Sequence, residues 1–509
     1  MILIHPPVAK PCEPPAGIAR LCGALNHHKI ECHVLDENLA SLLGLLESPS
    51  VPSDTWSQRA LRHLPRHLAS LRSWPTYRRF DRYKRAVLDL NRVLEKTAFS
   101  SRVRLGLANF QHEELSPARS QDLIRAAETP EKNPFYDHFR KRFLNAVAEE
   151  NPSVVGFSLN YLSQALCTFS MAGFLKREIP GITLVLGGGL VTSWMRKPGW
   201  KNPFGGLFDR LISGPGEGPM LSILGAVDGM NRSCGNLAYT PNYDVLPMKD
   251  YFSPGAVLPY SASSGCYWNK CSFCPERAEG TPYLPIPVDK VIDDLRALVR
   301  KQKPALIHLL DNAISPALLK ALSEEPPGSP WYGFARMTRH LTDQDFCASL
   351  RRSGCVMLQL GLESGDQGVL DRMEKGIDLG EASSGLKALK KAGIATYVYI
   401  LFGTPLEGPE EAKRTLEFVV THHDQIDFLN VALFNLPIYG PESQQVETKV
   451  FYEGDLSLYA DFEHPRGWDR RAVRKFLDRE FKRHPAIAPI LRRDPPVFTS
   501  NHAPFFVMP

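Results

Sequence analysis

Three cysteines within nine residues are the clearest sign of chemistry in this sequence. Cys266, Cys271 and Cys274 follow the spacing C-x4-C-x2-C, so a single loop can present three thiolates to one metal centre. Thiolates bind zinc as well as iron-sulfur clusters, but a structural zinc site normally has four protein ligands. No fourth Cys or His lies close by in the sequence. A [4Fe-4S] cluster held by three cysteines would leave one iron open to an outside ligand.

A zinc site would need a distant fourth ligand, such as His308 or Cys347. We therefore expect the three cysteines to hold a [4Fe-4S] cluster, with zinc as the alternative. The chain has ten cysteines in 509 residues, and they show no regular pairing. This usage is typical of reduced thiols and not of a disulfide framework.

The elements around the cysteine loop repeat in strand-helix order. Six strand-like runs lie between residues 250 and 440, separated by helical segments: 257–262, 305–310, 331–334, 356–362, 396–402 and 428–432. Six repeats are too few for an eightfold barrel, but they fit a partial (β/α)6 barrel of the TIM type, which carries its chemistry at the carboxyl ends of its strands. The cysteine loop follows the first strand and so lies at that end.

A second α/β domain is predicted ahead of the barrel, at residues 1–245. Its strand-like runs alternate with helix-like stretches, as in a doubly wound parallel sheet of the Rossmann type, and lie at 1–4, 31–35, 153–159, 182–186 and 207–213. Residues 46–145 interrupt this pattern and are predicted to form a helical insertion. The insertion is either a solvated cap or a basic surface for an acidic partner.

Residues 441–509 are predicted to form a C-terminal extension of helical and irregular structure, with a helix at 469–482. No motif assigns this segment a chemical role.

Composition and charge narrow the class of protein. Hydrophobic residues make up 43% and charged residues 23% of the chain, as in compact globular proteins. The net charge of +5 is small for this length, so nucleic acid is not an expected partner. No run approaches the roughly 18 apolar residues that span a bilayer, and the first residues lack a signal-like pattern. We expect a cytoplasmic protein without membrane association.

The cysteine loop and the strand ends after it resemble the radical S-adenosylmethionine (SAM) superfamily over residues 250–440. The usual family spacing is C-x3-C-x2-C, so this loop has one extra residue between Cys266 and Cys271. The resemblance implies that the open iron of a [4Fe-4S] cluster binds SAM, and that one electron from the cluster cleaves SAM to a 5′-deoxyadenosyl radical. Residues 361–376 look like subfamily members that carry an N-terminal cobalamin domain.

The same resemblance implies a set of SAM-binding residues, most of which follow the barrel strands. The set is Phe273, Asp311, Asn312, Arg336, Glu363, Ser364 and Gly403. Judged from the residues alone, other roles remain open: ordinary packing for Phe273, and a turn or helix cap for Asp311 and Asn312.

The first domain resembles cobalamin-binding domains at the loops that follow its strands. Glycines at such positions let the backbone approach a flat ligand closely. The resemblance implies cobalamin contacts at Pro15, Asp36, Ser158, Gly187, Gly188, Gly189, Gly216 and Glu217. The motif D-x-H-x-x-G, whose His ligates cobalt from below, is absent from the chain, so cobalamin would bind without it. The alternative is a domain that keeps the fold without the cofactor, or that only positions a substrate.

The resemblance implies methyl transfer to an unactivated carbon or to phosphorus, through the 5′-deoxyadenosyl radical and methylcobalamin. The first alternative is a cyclisation, rearrangement or other non-methylating radical reaction, with or without cobalamin. A metal-binding sensor or scaffold is the alternative from another class. The expected partners are a small-molecule or peptide substrate and a reductant of the flavodoxin or ferredoxin type.

Overall fold

The computed structural model describes residues 1–50, 54–227, 239–450, 454–496 and 502–507. These residues pack into two units, of which the first contains Met1–Val257 and the second begins at Leu258. The segment 441–509 does not form a unit of its own, because its described residues belong mainly to the second unit and in small part to the first. Among the helices of the described residues, none is long and apolar enough to cross a membrane.

A parallel sheet forms the centre of the first unit. The strands of this unit are β1 Ile2–His5, β2 His33–Asp36, β3 Val103–Leu105, β4 Phe110–His112, β5 Val154–Ser158, β6 Thr183–Gly187 and β7 Arg210–Leu211. The main sheet has the order β2-β1-β5-β6-β7, and each neighbouring pair is parallel. The predicted doubly wound α/β architecture is confirmed. The strand predicted at 207–213 is shorter than expected and keeps only two residues.

Helices of the first unit cover the sheet and build the insertion. They are α1 Ala16–His27, α2 Glu37–Glu47, α3 Thr55–Arg62, α4 Leu64–Leu71, α5 Trp74–Tyr77, α6 Phe80–Thr97, α7 Ser120–Glu128, α8 Tyr136–Glu150, α9 Leu162–Glu178, α10 Gly189–Met195 and α11 Glu217–Ile223, with 3-10 turns at Phe99–Ser101 and Pro130–Lys132. Leu3 of β1 packs with Ile18 and Cys22 of α1 and with Met220 of α11 in one apolar core.

The insertion at 46–145 is mostly helical, but it also contains the antiparallel hairpin of β3 and β4. The predicted helical insertion thus contains one element, the hairpin, that the sequence pattern did not indicate. Val103 and Leu105 are buried while Arg104 between them is exposed, which is the alternation of a strand. Strands of three residues are too short to stand out against the surrounding helical sequence.

A six-stranded sheet forms the centre of the second unit. The strands of this sheet lie side by side in the same order as they occur in the chain. The predicted partial barrel is confirmed. The strands of the sheet are β8 Val257–Tyr260, β11 Leu306–Leu309, β12 Trp331–Ala335, β13 Cys355–Glu363, β14 Ala395–Phe402 and β15 Phe428–Leu433; the smaller strands are β9 Ser263–Ser264, β10 Leu284–Pro285, β16 Leu436–Pro437, β17 Thr448–Val450 and β18 Tyr459–Phe462.

Helices follow the strands of the second unit as the sequence pattern predicts. They are α12 Pro275–Ala278, α13 Val288–Gln302, α14 Pro316–Glu324, α15 Gln344–Arg352, α16 Gln367–Arg372, α17 Leu379–Ala392, α18 Pro409–Thr421, α19 Arg470–Phe476 and α20 Ala488–Arg492, with 3-10 turns at Arg339–Thr342, His423–Gln425, Pro441–Gln444 and Ala503–Phe506. The helix predicted at 469–482 is α19 followed by a π-helical turn at Leu477–Phe481.

The crossing of α7 and α9 depends on a glycine. A Cβ added at Gly173 in α9 would lie 1.9 Å from the carbonyl oxygen of Ala127 in α7. We expect Gly173→Ala to push the helices apart and to lower the free energy of unfolding by about 3 kcal/mol. Gly385→Ala in α17 is the control, because the atom nearest to its Cβ would be the Leu341 carbonyl oxygen at 3.6 Å. Ala is the better helix former, so the control should unfold at the same or a higher temperature. Thermal melts test this, and equal melting of both variants would contradict the close crossing.

Candidate active site

The cysteine loop begins and ends at a short antiparallel ladder in the second unit. Residues 265–283 lie between β9 and β10, whose pairing closes the base of the loop. Gly265 has a φ of +75°, and a Cβ at this position would lie 2.4 Å from the carbonyl oxygen of Pro282. Only glycine therefore lets the chain turn into the loop at this point.

Asp311 and Asn312 follow β11 and have different surroundings. Asp311 is buried and accepts hydrogen bonds from the Ala262 backbone N–H at 3.1 Å and from the Ser263 hydroxyl. Burial raises the pKa of Asp311, and these two hydrogen bonds oppose the rise. Asn312 is exposed. Asp311 thus braces the base of the cysteine loop, while Asn312 keeps an accessible side chain at the same strand end.

Trp268 fastens the cysteine loop to the turn at residues 373–376. Its indole Nε1 donates to the Glu374 carbonyl at 2.9 Å, and the Arg336 guanidinium lies 4.1 Å from the centre of its ring. Gly376 has a φ of +62°, and a Cβ there would lie 2.2 Å from Trp268 Cζ2. The indole therefore packs directly on the backbone of this turn, in a place that only glycine leaves open.

Arg336 and Lys375 bring two positive charges to the loop. Arg336 is buried and donates to the carbonyl of Lys375 and, at 3.3 Å, to that of Gly376. The Lys375 ammonium forms an ion pair with Glu363 at 2.8 Å and lies 5.5 Å from the centre of the Phe273 ring. Three of the predicted residues, Arg336, Glu363 and Phe273, are thus connected through Lys375, which the sequence did not single out.

Glu363 has an unusual backbone conformation at the end of β13. Its φ is +70°, and the pairing of β13 with β14 shifts register between Gly361 and Glu363. A Cβ at Gly361 would lie 2.7 Å from Glu363 Oε1 and 2.9 Å from Lys375 Nζ, so glycine leaves the room that the ion pair occupies. A positive φ in a non-glycine residue costs of order 1 kcal/mol or more and is found preferentially at functional sites.

The three thiols are largely shielded from solvent. Cys271 is 9% exposed, and Cys266 and Cys274 are half-buried. Burial raises the pKa of Cys271, although the nearby Lys375 and Arg336 oppose this shift. Burial also raises the pKa of Cys274 to about 11. Because thiolates and not thiols bind metals, the loop must release protons when it takes up iron.

The two distant candidates for a fourth zinc ligand have contacts of their own. The Cys347 thiol donates to the Leu341 carbonyl at 3.3 Å, and His308 is stacked on Tyr332 with ring centres 4.3 Å apart. A [4Fe-4S] cluster bound by three cysteines needs no fourth protein ligand.

Ser364 is fully buried behind the strand end. Its hydroxyl lies 3.2 Å from Thr415 Oγ1 of α18 and accepts a hydrogen bond from the Asp366 backbone N–H at 3.1 Å. These bonds join the end of β13 to α18. A contact between Ser364 and SAM stays a prediction.

The loop after β14 is held by Glu407 and by the C-terminal segment. The Glu407 carboxylate accepts from the Gly403 backbone N–H at 2.6 Å and from Trp468 Nε1 at 3.0 Å, and burial raises its pKa to about 7. His464 Nε2 donates to the Thr404 carbonyl at 2.8 Å. Trp468 and His464 were not identified from the sequence, because they are about sixty residues from the loop and belong to no motif.

Glu442 reaches the cysteine loop from the same C-terminal segment. Its carboxylate accepts from the Ser272 hydroxyl at 2.6 Å, and burial raises its pKa. The segment beyond residue 440, which the sequence left without a role, therefore supports both the cysteine loop and the loop after β14.

In the first unit, the predicted cobalamin residues lie at the ends of parallel strands or in the segments that follow them. The strand order has a topological switch point between β1 and β5, where open α/β sheets bind ligands. Asn160 links two of these loops, because its side chain donates to Ser158 Oγ at 3.1 Å and accepts from the Gly189 backbone N–H at 2.9 Å. Gly188 has a φ of +113°, and a Cβ there would lie 2.3 Å from the Leu159 carbonyl oxygen. Asn160 was not identified from the sequence, although it follows Ser158 by two residues.

The two acidic side chains predicted for this edge already have partners within the unit. Asp36 accepts from the Leu39 backbone N–H at 3.0 Å, as the cap of α2, and from the Tyr251 hydroxyl at 2.6 Å. Glu217 forms an ion pair with Arg20 at 2.7 Å. Their contacts with cobalamin stay predictions. The remaining predicted residues stand at element ends: Pro15 before α1, Gly187 at the end of β6 and Gly216 before α11.

His5 leaves an unsatisfied polar atom beside the switch point. It ends β1, is 7% exposed, and its Nδ1 has no hydrogen-bond partner among the described residues. Burial lowers the pKa of His5, and the charge of Asp36 opposes this. A buried polar atom without a partner is destabilising, and a polar ligand at this edge would supply one. The donors and glycines of this edge therefore fit a ligand such as cobalamin.

A large part of the chain is similar in sequence to known proteins. The hopanoid C-3 methylase of Methylococcus capsulatus is 23% identical over 351 residues, which cover 63% of this chain and 66% of that protein. The anaerobic magnesium-protoporphyrin IX monomethyl ester cyclase of Rubrivivax gelatinosus is 25% identical over 279 residues, which cover 47% of this chain and 49% of that protein. A third match, with an uncharacterized methyltransferase of Pyrococcus horikoshii, is 26% identical over 188 residues, so the matches span between 40% and 66% of the length of these three curated relatives.

A solved structure shares the fold of most of the chain. TsrM of Kitasatospora setae, a radical S-adenosylmethionine methyltransferase solved with cobalamin and a [4Fe-4S] cluster, superposes with a TM-score of 0.52 at 16% identity, over 87% of this chain and 77% of that chain. Residues 260–419, from the end of β8 into α18 and including the cysteine loop, match the family model of the Radical SAM superfamily. The chain therefore carries a radical SAM domain in its second unit.

Proposed function

We propose that the protein is a cobalamin-dependent radical SAM methyltransferase that acts on an unactivated carbon or on phosphorus. The observation that carries the proposal is the three-cysteine loop at the carboxyl end of a six-stranded sheet, in a chain whose first unit has a parallel sheet with a switch point. The methylase among its relatives and the methyltransferase TsrM support this reaction class.

Cys266, Cys271 and Cys274 are the proposed ligands of a [4Fe-4S] cluster. When bound, the cluster would supply the electron that cleaves SAM, and cobalamin would supply a carrier for the methyl group. Lys375 and Arg336 lie beside the thiols, and their positive charges would stabilise the thiolate form that binds iron.

Glu363 is the proposed anchor for SAM. Its carboxylate is held by Lys375 at the strand end next to the cysteine loop, and the positive φ of Glu363 sets its direction. A carboxylate accepts hydrogen bonds from the amino group or ribose hydroxyls of SAM. Phe273, Asp311, Asn312, Arg336, Ser364 and Gly403 remain proposed as the surrounding contacts.

A band of aromatic and polar side chains across the sheet is proposed to face the substrate, a small molecule or a peptide. Phe334, Gln359 and Tyr397 are in register on β12, β13 and β14. Tyr399 lies with its ring centre 5.0 Å from that of Phe334 and accepts from Gln359 Nε2 at 3.0 Å. Gln359 Oε1 is buried and has no hydrogen-bond partner among the described residues, so it can receive a substrate donor.

A flavodoxin- or ferredoxin-type protein is the proposed reductant, because the reaction needs one electron at a time from outside. The nine cysteines of the described chain are free thiols. This state suits the reducing cytoplasm, which is the proposed location.

A non-methylating radical reaction is the second candidate, because one of the relatives is a cyclase. The two candidates share the cluster and SAM cleavage and differ in the fate of the SAM methyl group. Anaerobic protein purified with cobalamin should contain iron and cobalt and form 5′-deoxyadenosine when reductant is added. Both candidates release labelled methionine from the SAM that is cleaved to 5′-deoxyadenosine. Isotope label from the SAM methyl group in the product therefore supports the methyltransferase, whereas a product without label supports the second candidate.

We expect Cys271→Ser to remove most of the iron and to lower 5′-deoxyadenosine formation by at least about 100-fold, because one cluster ligand is lost. Cys347→Ser is the matched control, since that buried thiol donates to a backbone carbonyl, as a hydroxyl can. Iron analysis and product assay of both proteins test this. Loss of metal from the control, or zinc in place of iron, would revive the zinc alternative.

We expect Glu363→Gln to weaken SAM binding by about tenfold while the iron content stays unchanged, because a charged hydrogen bond is worth about 1.5 to 3 kcal/mol. Glu381→Gln, an exposed change on α17, should leave both quantities unaltered. Equilibrium binding of SAM to the iron-loaded proteins measures the effect. Unchanged affinity in Glu363→Gln would remove Glu363 from the SAM site.

We expect His5→Phe to retain less cobalamin and yet to be as stable as the parent protein, or more stable, when cobalamin is absent. The change removes a buried nitrogen that has no partner within the described chain, so only the ligand-bound state loses a hydrogen bond. Cobalt content and thermal melting without cobalamin separate the two effects. Full cobalt content would show that His5 does not contact the cofactor.

A further inference from the structure

The helical insertion contains a cavity that the proposed reaction does not use. It has a volume of about 420 Å³ and lies among α3, α4, α5 and α6. Four arginines line it, Arg59, Arg66, Arg82 and Arg85, together with one carboxylate, Asp89. The cavity is thus concave and mainly cationic.

Positive charge is concentrated in this part of the chain. Residues 54–104 contain thirteen Lys and Arg but four Asp and Glu, whereas the whole chain has a net charge of +5. The rest of the chain therefore carries more acidic than basic side chains. Such a local excess attracts anions to the insertion.

The single carboxylate of the cavity is already engaged. Asp89 is buried and accepts from Trp56 Nε1 at 3.0 Å. Its carboxylate also lies 3.1 Å from His67 Nε2 and 3.7 Å from the Arg59 guanidinium. Among the described residues, Asp89 therefore has contacts with Trp56, His67 and Arg59 but no ion pair with Arg66, Arg82 or Arg85.

Arg66, Arg82 and Arg85 form no ion pair with any residue that the structure describes, and all three are exposed to solvent. They come from two helices, α4 and α6, and line the same cavity. Like charges around one concave space repel each other, and an anion inside it would relieve this repulsion.

We propose that this cavity binds a small molecule through its phosphate or diphosphate group, with Arg66, Arg82 and Arg85 as the contacts. The guanidinium group matches phosphate oxygens with two parallel hydrogen bonds, and three neighbouring arginines suit the multiple negative charge of a phosphate or diphosphate. A volume of about 420 Å³ is that of a small-molecule pocket, whereas protein partners usually dock on flatter surfaces. The inference does not depend on the proposed methyl transfer.

Calorimetric titration of the full chain with inorganic pyrophosphate tests the proposal. We expect saturable binding that Arg66→Gln/Arg82→Gln weakens by at least about tenfold. Arg62→Gln/Arg78→Gln is the matched control: it removes the same charge from exposed positions outside the cavity and should change the affinity less than about threefold. Melting curves of both variants verify that they are folded.

Two further binding experiments test whether the cavity instead recognises a lipid headgroup or an acidic protein. Vesicles that contain phosphatidylserine test a lipid headgroup, and an acidic ferredoxin tests a protein surface. Pyrophosphate binding that depends on Arg66 and Arg82 supports the proposal. The proposal would be overturned if both double variants lost affinity for pyrophosphate equally, or if saturable pyrophosphate binding were absent. It would also be overturned if only vesicles or ferredoxin were bound.

Discussion

The packing of Trp268 on the turn at residues 373–376 is the interaction on which the candidate site depends. The cysteine loop has little regular structure of its own, because only the β9–β10 ladder and the single turn of α12 lie in or beside it. Its shape must come from contacts with other elements. The same turn carries Lys375, which pairs with Glu363 at the end of β13. One contact therefore positions the thiols and the charged strand end together.

The strands could be predicted from the sequence because their signal is local. Short apolar runs between turn residues marked all six strands of the central sheet in the second unit and the parallel strands of the first unit, and the cysteine spacing marked the loop. The roles of Lys375, Glu442, Trp468 and His464 could not be predicted in this way. Each depends on a contact with a segment about sixty or more residues away in the chain, which only the fold brings together.

Residue type alone also could not separate binding from structural roles in the first unit. Asp36 and Glu217 follow strands, as ligand-binding acids do, yet one caps α2 and the other pairs with Arg20. His5 and Asn160 carry no motif, but the first has an unsatisfied nitrogen and the second joins two loops at the switch point. The difference lies in hydrogen-bond partners, which a sequence does not state.

The support that the C-terminal segment gives to earlier loops has a consequence for the order of assembly. Ser272 and Gly403 are synthesised well before Glu442, His464 and Trp468, whose side chains complete the surroundings of their loops. A ribosome-bound chain that ends near residue 440 would have all three cysteines but not these partners. The surroundings of the cysteine loop and of the loop after β14 are thus complete only after residues 442–468 have been added to the chain.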